Sequence, residues 1–301
     1  MILVTATWTM IELLSLATAL MYALSHIAVR KGLAFGSNAV TAANLSLVIT
    51  FIVFLALLFA LVPLHQWSLR AIPLFLAAGI LAPGLFRLFL YSAISRVGVA
   101  VSSVATNINP LVAVATSMGF LGEQLTPLKA LGIGLILAAV LFAAPKGEGR
   151  VFDLSALSNR GFLLAIAAAV VRGGSETLRK SGLFVLDSPI FGAAIGNAGG
   201  FLVSVALLAT SSSTRSALIY EKNSFLYFLL SSLCTVAAWL FGFYALSLGE
   251  VVRVAPIVGT VPLFTVLLST VLLRGVEQIT PRIMVASLLV VVGVVAIHLG
   301  S

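Results

Sequence analysis

The stretch YSAISRVGVAVSSVATNINPLVAVATSMGFLGEQLTP, residues 91 to 127, occurs a second time in altered form. It returns as YALSLGEVVRVAPIVGTVPLFTVLLSTVLLRGVEQITP, residues 244 to 281. The matched residues include Tyr91 with Tyr244, Pro110 with Pro262, and Glu123 with Glu277. Both copies also end in Thr-Pro. An internal repeat of this length indicates that the chain is built from two similar halves.

The composition of the chain is that of a membrane protein. Apolar residues occupy 61% of the 301 positions and charged residues only 9%, which is far outside the range of soluble domains. A spanning helix needs roughly 20 mainly apolar residues, and ten stretches meet this requirement. We predict spans at residues 11–30, 39–62, 71–95, 99–121, 127–144, 161–178, 189–209, 224–248, 251–273 and 283–299.

The repeat and the spans together predict an all-α integral membrane fold. We expect one five-helix repeat over residues 11–144, a polar linker over 145–160 and a second five-helix repeat over 161–299. Because five is an odd number, the second half enters the membrane from the opposite face. Inverted repeats of this kind place a binding site near the bilayer midplane and expose it alternately on the two sides. The organisation therefore predicts a secondary transporter with a central cavity.

Several other classes of protein fit the sequence poorly. The net charge of +8 comes from Lys and Arg at helix ends, which indicates anchoring at the membrane surface and not binding to nucleic acid. One cysteine and three scattered histidines give no pattern typical of a metal site. No P-loop, nucleophile elbow or dinucleotide fingerprint occurs. We therefore expect neither an enzyme nor an ATP-driven pump, and no cofactor.

The same segments resemble a known family. The ten predicted helices, the paired prolines and the segment GFLGEQLTPLKALGIGLILAAVLF, residues 119–142, resemble the drug/metabolite transporter superfamily, in its branch with two EamA-type halves. The second half departs from the pattern, because it has two additional residues before its glutamate and Ala286 near the position equivalent to Gly132. The resemblance implies an electrochemically driven carrier in the inner or plasma membrane, exporting amino acids or other small metabolites. Its cavity would be lined by the first, third and fourth helices of each half.

The resemblance also implies cytoplasmic termini, whereas the distribution of Lys and Arg favours the opposite orientation. We expect a monomer or a weak homodimer in the lipid bilayer. Two other functions stay open on the sequence: export of hydrophobic cations, as in multidrug carriers, and a non-catalytic role in membrane assembly or lipid handling.

Two charged residues belong to one half only. When the Arg-Lys pairs at residues 30–31 and 179–180 are aligned, Arg172 and Glu176 fall opposite apolar residues. Charges inside a membrane are costly and usually face a cavity or a partner. We therefore assign Arg172 and Glu176 to a substrate site; the alternative is a structural ion pair that locks helix packing. The aligned Arg-Lys pairs are predicted to anchor helix ends.

Arg87 is a third unmatched charge, about two-thirds along its predicted span, with Tyr91 one turn later on the same face. Two buried arginines and one carboxylate leave an excess of positive charge. This excess predicts an anionic or zwitterionic small-molecule substrate held by Arg87 and Arg172. Glu176 would orient Arg172, receive a substrate ammonium group or carry a coupling proton.

Other polar and aromatic residues are further candidates for substrate contact. They are Asn107, Asn109, Tyr22, His26, Trp239 and Tyr244. The alternatives are hydrogen bonding between helices for the asparagines and ordinary packing for the others, and His26 could also carry a proton. Pro110 and Pro262 are predicted to kink their helices and to serve as hinges. Glu123 and Glu277, which occur in both halves, are assigned to the scaffold, and GAAIGNAGG, residues 192–200, predicts a close helix contact.

Overall fold

The computed structural model describes residues 2–109, 111–112, 115–116, 126–143, 159–249, 251–273 and 280–299, and these contain no β-strand. The α-helices are α1 Ile2–Ala34, α2 Ala39–Leu61, α3 Ile72–Gly79, α4 Phe86–Val97, α5 Val99–Ala105, α6 Pro127–Ala143, α7 Arg160–Val185, α8 Pro189–Thr210, α9 Ser212–Ser216, α10 Lys222–Leu248, α11 Val251–Val258, α12 Val261–Leu272 and α13 Pro281–Leu299. A π-helical segment, Ile80–Leu85, joins α3 to α4, and short 3₁₀ segments occur at Leu64–Gln66 and Thr106–Ile108. Pro110, Glu123, Glu277 and almost all of the predicted linker lie outside the described residues.

The described residues include six helical segments that are long and apolar enough to cross a membrane. They are Met10–Ala34, Ala39–Leu61, Ile72–Val97, Arg160–Val185, Pro189–Thr210 and Lys222–Leu248. Shorter apolar helices cover parts of the other four predicted spans. The all-helical, multi-pass membrane fold is therefore confirmed, while the count of ten spans stays a prediction.

The helices pack in a pattern that is preserved when the two predicted halves are exchanged. Helix α1 packs along α10. In the exchange α1 corresponds to α7 and α10 corresponds to α4, and α4 does pack along α7. Helix α2 contacts α8, α5 contacts α12, and α6 contacts α13. This pattern is the one expected for two related halves whose helices pack against each other.

Buried hydroxyl groups connect the halves through hydrogen bonds. Ser25 Oγ lies 2.8 Å from Ser231 Oγ and 2.8 Å from Thr235 Oγ1. Between α5 and α12, Ser103 Oγ donates to Thr265 Oγ1 at 3.2 Å. A polar group removed from water is costly unless it is hydrogen-bonded, so these pairs help to fix which helices meet.

Helices α3 and α8 approach until their backbones touch. A Cβ atom added to Gly79 would lie 1.8 Å from the carbonyl oxygen of Gly196. One added to Gly199 would lie 2.4 Å from the carbonyl oxygen of Leu76. Only residues without a side chain permit this approach, so the close contact predicted from GAAIGNAGG is confirmed.

The third predicted span, 71–95, is not continuous. Ala82 has extended backbone angles, φ −142° and ψ 120°, inside the π-helical segment. Pro83 has no N–H to donate. The N–H of Phe86, which would bond the Ala82 carbonyl in a regular helix, donates to the carbonyls of Leu81 and Pro83 instead. The Ala82 carbonyl therefore receives no hydrogen bond from its usual helical donor.

The ninth predicted span, 251–273, is also divided. Helix α11 ends at Val258 and α12 begins at Val261, with Pro262 in the first turn of α12. Proline is well tolerated there because the first N–H groups of a helix have no helical partner. The prediction that Pro262 kinks the interior of a helix is therefore wrong: it begins a new one after a break.

The contact between α3 and α8 generates a stability prediction. Gly79→Ala should lower the free energy of unfolding by about 2 kcal/mol or more, because the methyl group has no space and its neighbour is backbone. Gly134→Ala is the matched control, since a Cβ at Gly134 meets nothing within 4 Å. Thermal unfolding of the purified protein in detergent checks both. Equal melting temperatures for the two variants would contradict the packing argument.

Candidate substrate site

A narrow cavity of about 20 Å³, which is room for about one water molecule, lies between α1, α7, α10 and α11. A neighbouring cavity of about 10 Å³ extends to the break between α3 and α4, and a third of about 10 Å³ extends to the segment Thr106–Asn109. Arg172 lines all three. The lining helices correspond to the first, third and fourth predicted spans of each half, the set that the family resemblance implies.

Arg172 lies at the centre of this space. It is the thirteenth of the 26 residues of α7, and its guanidinium stacks over the rings of Tyr22 at 4.4 Å and Phe86 at 5.2 Å from the ring centroids. Its Nε lies 3.8 Å from Glu176 Oε1. This is an ion pair too long for a good hydrogen bond, so the guanidinium retains donors that can meet an anion.

Helix α7 comes close to the segment after α5 because the residue next to Arg172 is glycine. A Cβ on Gly173 would lie 2.6 Å from Val112 Cβ and 2.8 Å from the carbonyl oxygen of Asn109. Absence of a side chain at Gly173 thus brings Asn109 to the cavity, where it lines the same space as Arg172.

The prediction that Arg179 anchors a helix end is wrong. Arg179 is only 5% exposed, and its guanidinium stacks on the ring of Trp239 at 4.1 Å. Its Nη1 donates to Glu176 Oε1 at 3.2 Å, and its Nη2 donates to the Ala82 carbonyl at 3.1 Å. Because α7 continues to Val185, Arg179 lies inside the helix and faces the cavity.

A signal for Arg179 was present in the sequence. Spacings of four and then three residues put Arg172, Glu176 and Arg179 on one helical face. The alignment of Arg179 with Arg30 obscured it. Lys180 also lies inside α7, which continues to Val185; its Nζ donates at 2.9 Å to the carbonyls of Leu246 and Gly249 at the end of α10.

Arg87 is buried beside the second cavity, with 2% of its surface exposed. Its Nη1 donates to Thr50 Oγ1 at 3.0 Å. Its Nη2 has no hydrogen-bond partner among the described residues. Tyr91 lines the same cavity, and its hydroxyl lies 3.5 Å from Ser46 Oγ. Arg87 and Tyr91 therefore line the same cavity as Arg172.

The charge of the site is strongly unbalanced. Within the described part of the chain, its charged lining residues are Arg87, Arg172, Arg179 and Glu176. Three guanidinium groups thus face one carboxylate, which is a larger positive excess than the sequence predicted. Such an excess away from water favours a bound anion.

Most of the remaining predicted residues also line the cavities. Tyr22 and Trp239 line the first two, and His26 and Asn107 line the third. Nδ2 of Asn107 donates to the Ser103 carbonyl at 3.0 Å. Asn107 Oδ1 and His26 Nδ1 are buried and have no hydrogen-bond partner among the described side chains and backbone.

Tyr244 does not join the site. It is 40% exposed and lines none of the three cavities. Helix α10 turns Trp239, Gly242, Phe243 and Leu246 towards the cavity, and position 244 lies on another face of that helix. The repeat matched Tyr244 to Tyr91, but the two tyrosines lie in different surroundings.

The described residues hold no cluster of three or more His, Cys, Asp or Glu side chains that could bind a metal ion. What the cavity offers is therefore guanidinium donors, one carboxylate, two asparagines and aromatic faces. These groups can bind and orient a small charged molecule.

Comparison with known proteins identifies the family. The model of the EamA-like transporter family matches residues 9–144 and 159–299. A solved structure described as "Crystal structure of protein" superposes with a TM-score of 0.67 at 18% identity, over 96% of each chain; at this identity the likeness concerns the fold alone. No curated protein matches the sequence. Because the family match covers nearly the whole chain in two copies, the chain belongs to the EamA-like transporter family, as its resemblance predicted.

Proposed function

We propose that this chain is a secondary active transporter that exports a small anionic or zwitterionic metabolite. The observation that carries the proposal is that, among the described lining residues, three buried guanidiniums surround a single carboxylate, in a cavity shared by both halves of the chain. A carrier for such molecules needs fixed positive charge away from water, because an anion otherwise meets a large desolvation cost inside a membrane.

Arg172 is the proposed primary ligand for the anionic group. It lines every part of the cavity and holds no close hydrogen bond within the described structure. The rings of Tyr22 and Phe86 fix its guanidinium plane, which favours the two-pronged binding of a carboxylate. Arg87, with an unpaired Nη2, is the second ligand that we propose. Asn107, Asn109 and Trp239 would complete the contacts.

Glu176 is the proposed partner for a positive charge. It lies between Arg172 and Arg179, so a substrate ammonium group would compete with two guanidiniums for it. A proton could take the same place, which would couple transport to a pH gradient. Both roles follow from the fact that Glu176 is the one acidic side chain among the described residues that line the cavity.

Alternating access is the proposed mechanism. Ten spans in two inverted halves would let one half rock against the other around a fixed midplane site. The exchange-symmetric packing of the described helices supports this arrangement. The breaks at Ala82 and at Gly259–Thr260 provide places where spans can bend. We further propose an inner or plasma membrane location and a monomer or weak homodimer.

A rival proposal, export of hydrophobic cations, is disfavoured by the same charges. A cation would need a carboxylate that is not already shared by two arginines. A non-catalytic role in membrane assembly or lipid handling has no comparable use for three inward-facing guanidiniums, whose burial is costly. An anion-binding carrier accounts for them directly.

Purified protein in proteoliposomes tests the function. We expect radiolabelled L-alanine, a zwitterion, or L-lactate, an anion of similar size, to exchange across the membrane, and tetraphenylphosphonium, a hydrophobic cation, not to. The panel extends to other amino acids and carboxylates, each with and without a pH gradient. Transport of the cation alone would support the multidrug alternative, and no transport of any compound would support the scaffold alternative.

Arg172→Gln should lower kcat/KM for the transported anion or zwitterion roughly ten- to hundredfold, the size expected for losing a hydrogen bond to a charged group. Arg215→Gln is the control, because Arg215 is exposed, lies in the short helix α9 and lines none of the three cavities. Flux assays on equal amounts of reconstituted protein measure the effect. If the Arg172 variant fails to fold while the control folds, Arg172 and Glu176 form a structural lock instead.

Glu176→Gln separates the two roles proposed for its carboxylate. A role with substrate ammonium predicts weaker transport of L-alanine and unchanged transport of L-lactate. A proton-carrying role predicts that both lose their response to a pH gradient, while exchange without a gradient persists. Glu221→Gln, an exposed position at the start of α10, is the matched control. Unchanged rates and unchanged pH dependence would exclude both roles.

A further inference from the structure

The Ala82 carbonyl lies at the break between α3 and α4 and has lost its usual helical donor, because the N–H of Phe86 is bonded elsewhere. In a membrane there is no bulk water to replace that donor, so the carbonyl requires a partner from another helix or from water in the cavity that Ala82 lines. The structure supplies one from α7, in the other half of the chain.

Two side chains of α7 hold the broken segment. Arg179 Nη2 donates to the Ala82 carbonyl at 3.1 Å. Ser175 Oγ donates to the Ala78 carbonyl at 3.0 Å and lies 3.5 Å from the Ala82 carbonyl. The charged donor gives the stronger bond. The break in the first half is thus stabilised mainly by an arginine of the second half.

The guanidinium of Arg179 also contacts two residues that line the substrate site. Nη1 of Arg179 donates to Glu176 Oε1 at 3.2 Å, and the ring of Trp239 covers one face of the guanidinium at 4.1 Å. Because a guanidinium is planar and rigid, the contact at Nη1 fixes the direction of Nη2. A change at Glu176 therefore alters how Arg179 meets the Ala82 carbonyl.

We propose that Arg179 is a positioning residue that makes the break in the third span depend on the state of Glu176. When Glu176 is ionised and unoccupied, it holds Arg179 on the Ala82 carbonyl. When a substrate ammonium or a proton engages Glu176, Arg179 loses one of its two polar anchors and the Ala82 carbonyl loses an ordered donor. The segment that follows carries Arg87, five residues beyond Ala82, so the change reaches a second arginine of the cavity.

Arg179 differs in this respect from Arg172. Two of its nitrogen atoms are already engaged by protein acceptors, whereas Arg172 has only a loose ion pair and two ring contacts among the described residues. A group with its donors committed to the protein is suited to hold structure, and one with free donors is suited to bind a ligand. The role of occupancy rests on the proposed function; the dependence of the break on Glu176 does not.

Hydrogen–deuterium exchange of the full-length protein tests the local link without any substrate. In peptides covering residues 78–90, Arg179→Gln and Glu176→Gln should each raise the exchange rate about tenfold. Lys180→Gln is the control: it removes the adjacent charge of α7, whose Nζ donates to the end of α10, and it should leave these peptides unchanged. Arg179→Lys, which keeps one donor, should give an intermediate rate.

Pro83→Ala supplies the second half of the test. Alanine restores an N–H at position 83 and permits a regular helix, in which Phe86 can donate to the Ala82 carbonyl. In that background Arg179→Gln should change exchange by no more than about twofold. If Arg179→Gln alone is too unstable to purify, Glu176→Gln and Arg179→Lys carry the comparison. If the peptides covering residues 78–90 exchange at the wild-type rate in both Glu176→Gln and Arg179→Lys, the proposal is wrong.

Binding and transport then distinguish positioning from direct substrate contact, with L-alanine and L-lactate as probes. Arg179→Gln should keep Kd within about threefold of wild type while lowering the transport rate about tenfold, whereas Arg172→Gln should mainly raise Kd. If Arg179→Gln raises Kd as much as Arg172→Gln does and leaves hydrogen–deuterium exchange at residues 78–90 unchanged, Arg179 is a third substrate ligand and the proposal is wrong. If wild type binds neither probe, the function proposed for these substrates fails, and the exchange data still decide the local link.

Discussion

The structure depends on one constraint: a polar group inside the hydrocarbon layer must find its partner within the protein. The break at Ala82 exposes a carbonyl to this constraint, and Arg179 meets it. Arg179 is in turn a charge that requires an anion, which Glu176 provides. The buried hydroxyl pairs between α1 and α10 obey the same rule with neutral groups. These polar contacts between helices thus help to determine which helices are neighbours.

Much of the fold follows from sequence because its signals are local or repeated. Apolar stretches of spanning length predict membrane helices without any knowledge of packing, and the second copy of residues 91–127 indicates two related halves, which the family match to both halves confirms. The glycines at 192–200 predict a close contact because a missing side chain has only one steric effect. The pairing of Arg172 with Glu176 follows from helical spacing alone.

The features that sequence missed depend on tertiary structure. Pro83 lies in an unbroken apolar run, so nothing in the sequence distinguishes a broken span from a kinked one. Arg179 matched Arg30 in the repeat, yet two residues at equivalent positions can face different surroundings once the halves diverge. The prediction that Tyr244 lies at the substrate site missed its position for the same reason. A repeat indicates which positions are related in sequence; it does not determine which face of a helix looks inward.

The direct backbone contact between α3 and α8 has a mechanical consequence. Since no side chain separates Gly79 from Gly196, these two helices are already at the smallest separation that their backbones allow, and neither can move closer to the other. The break at Ala82 begins only three residues beyond that contact. The contact with α8 continues past the break, because Pro83 lies against Gly200 and Gly84 against Val203. A bend of the kind proposed would therefore move α4, with Arg87 on it, relative to a segment that α8 holds on both sides of Ala82.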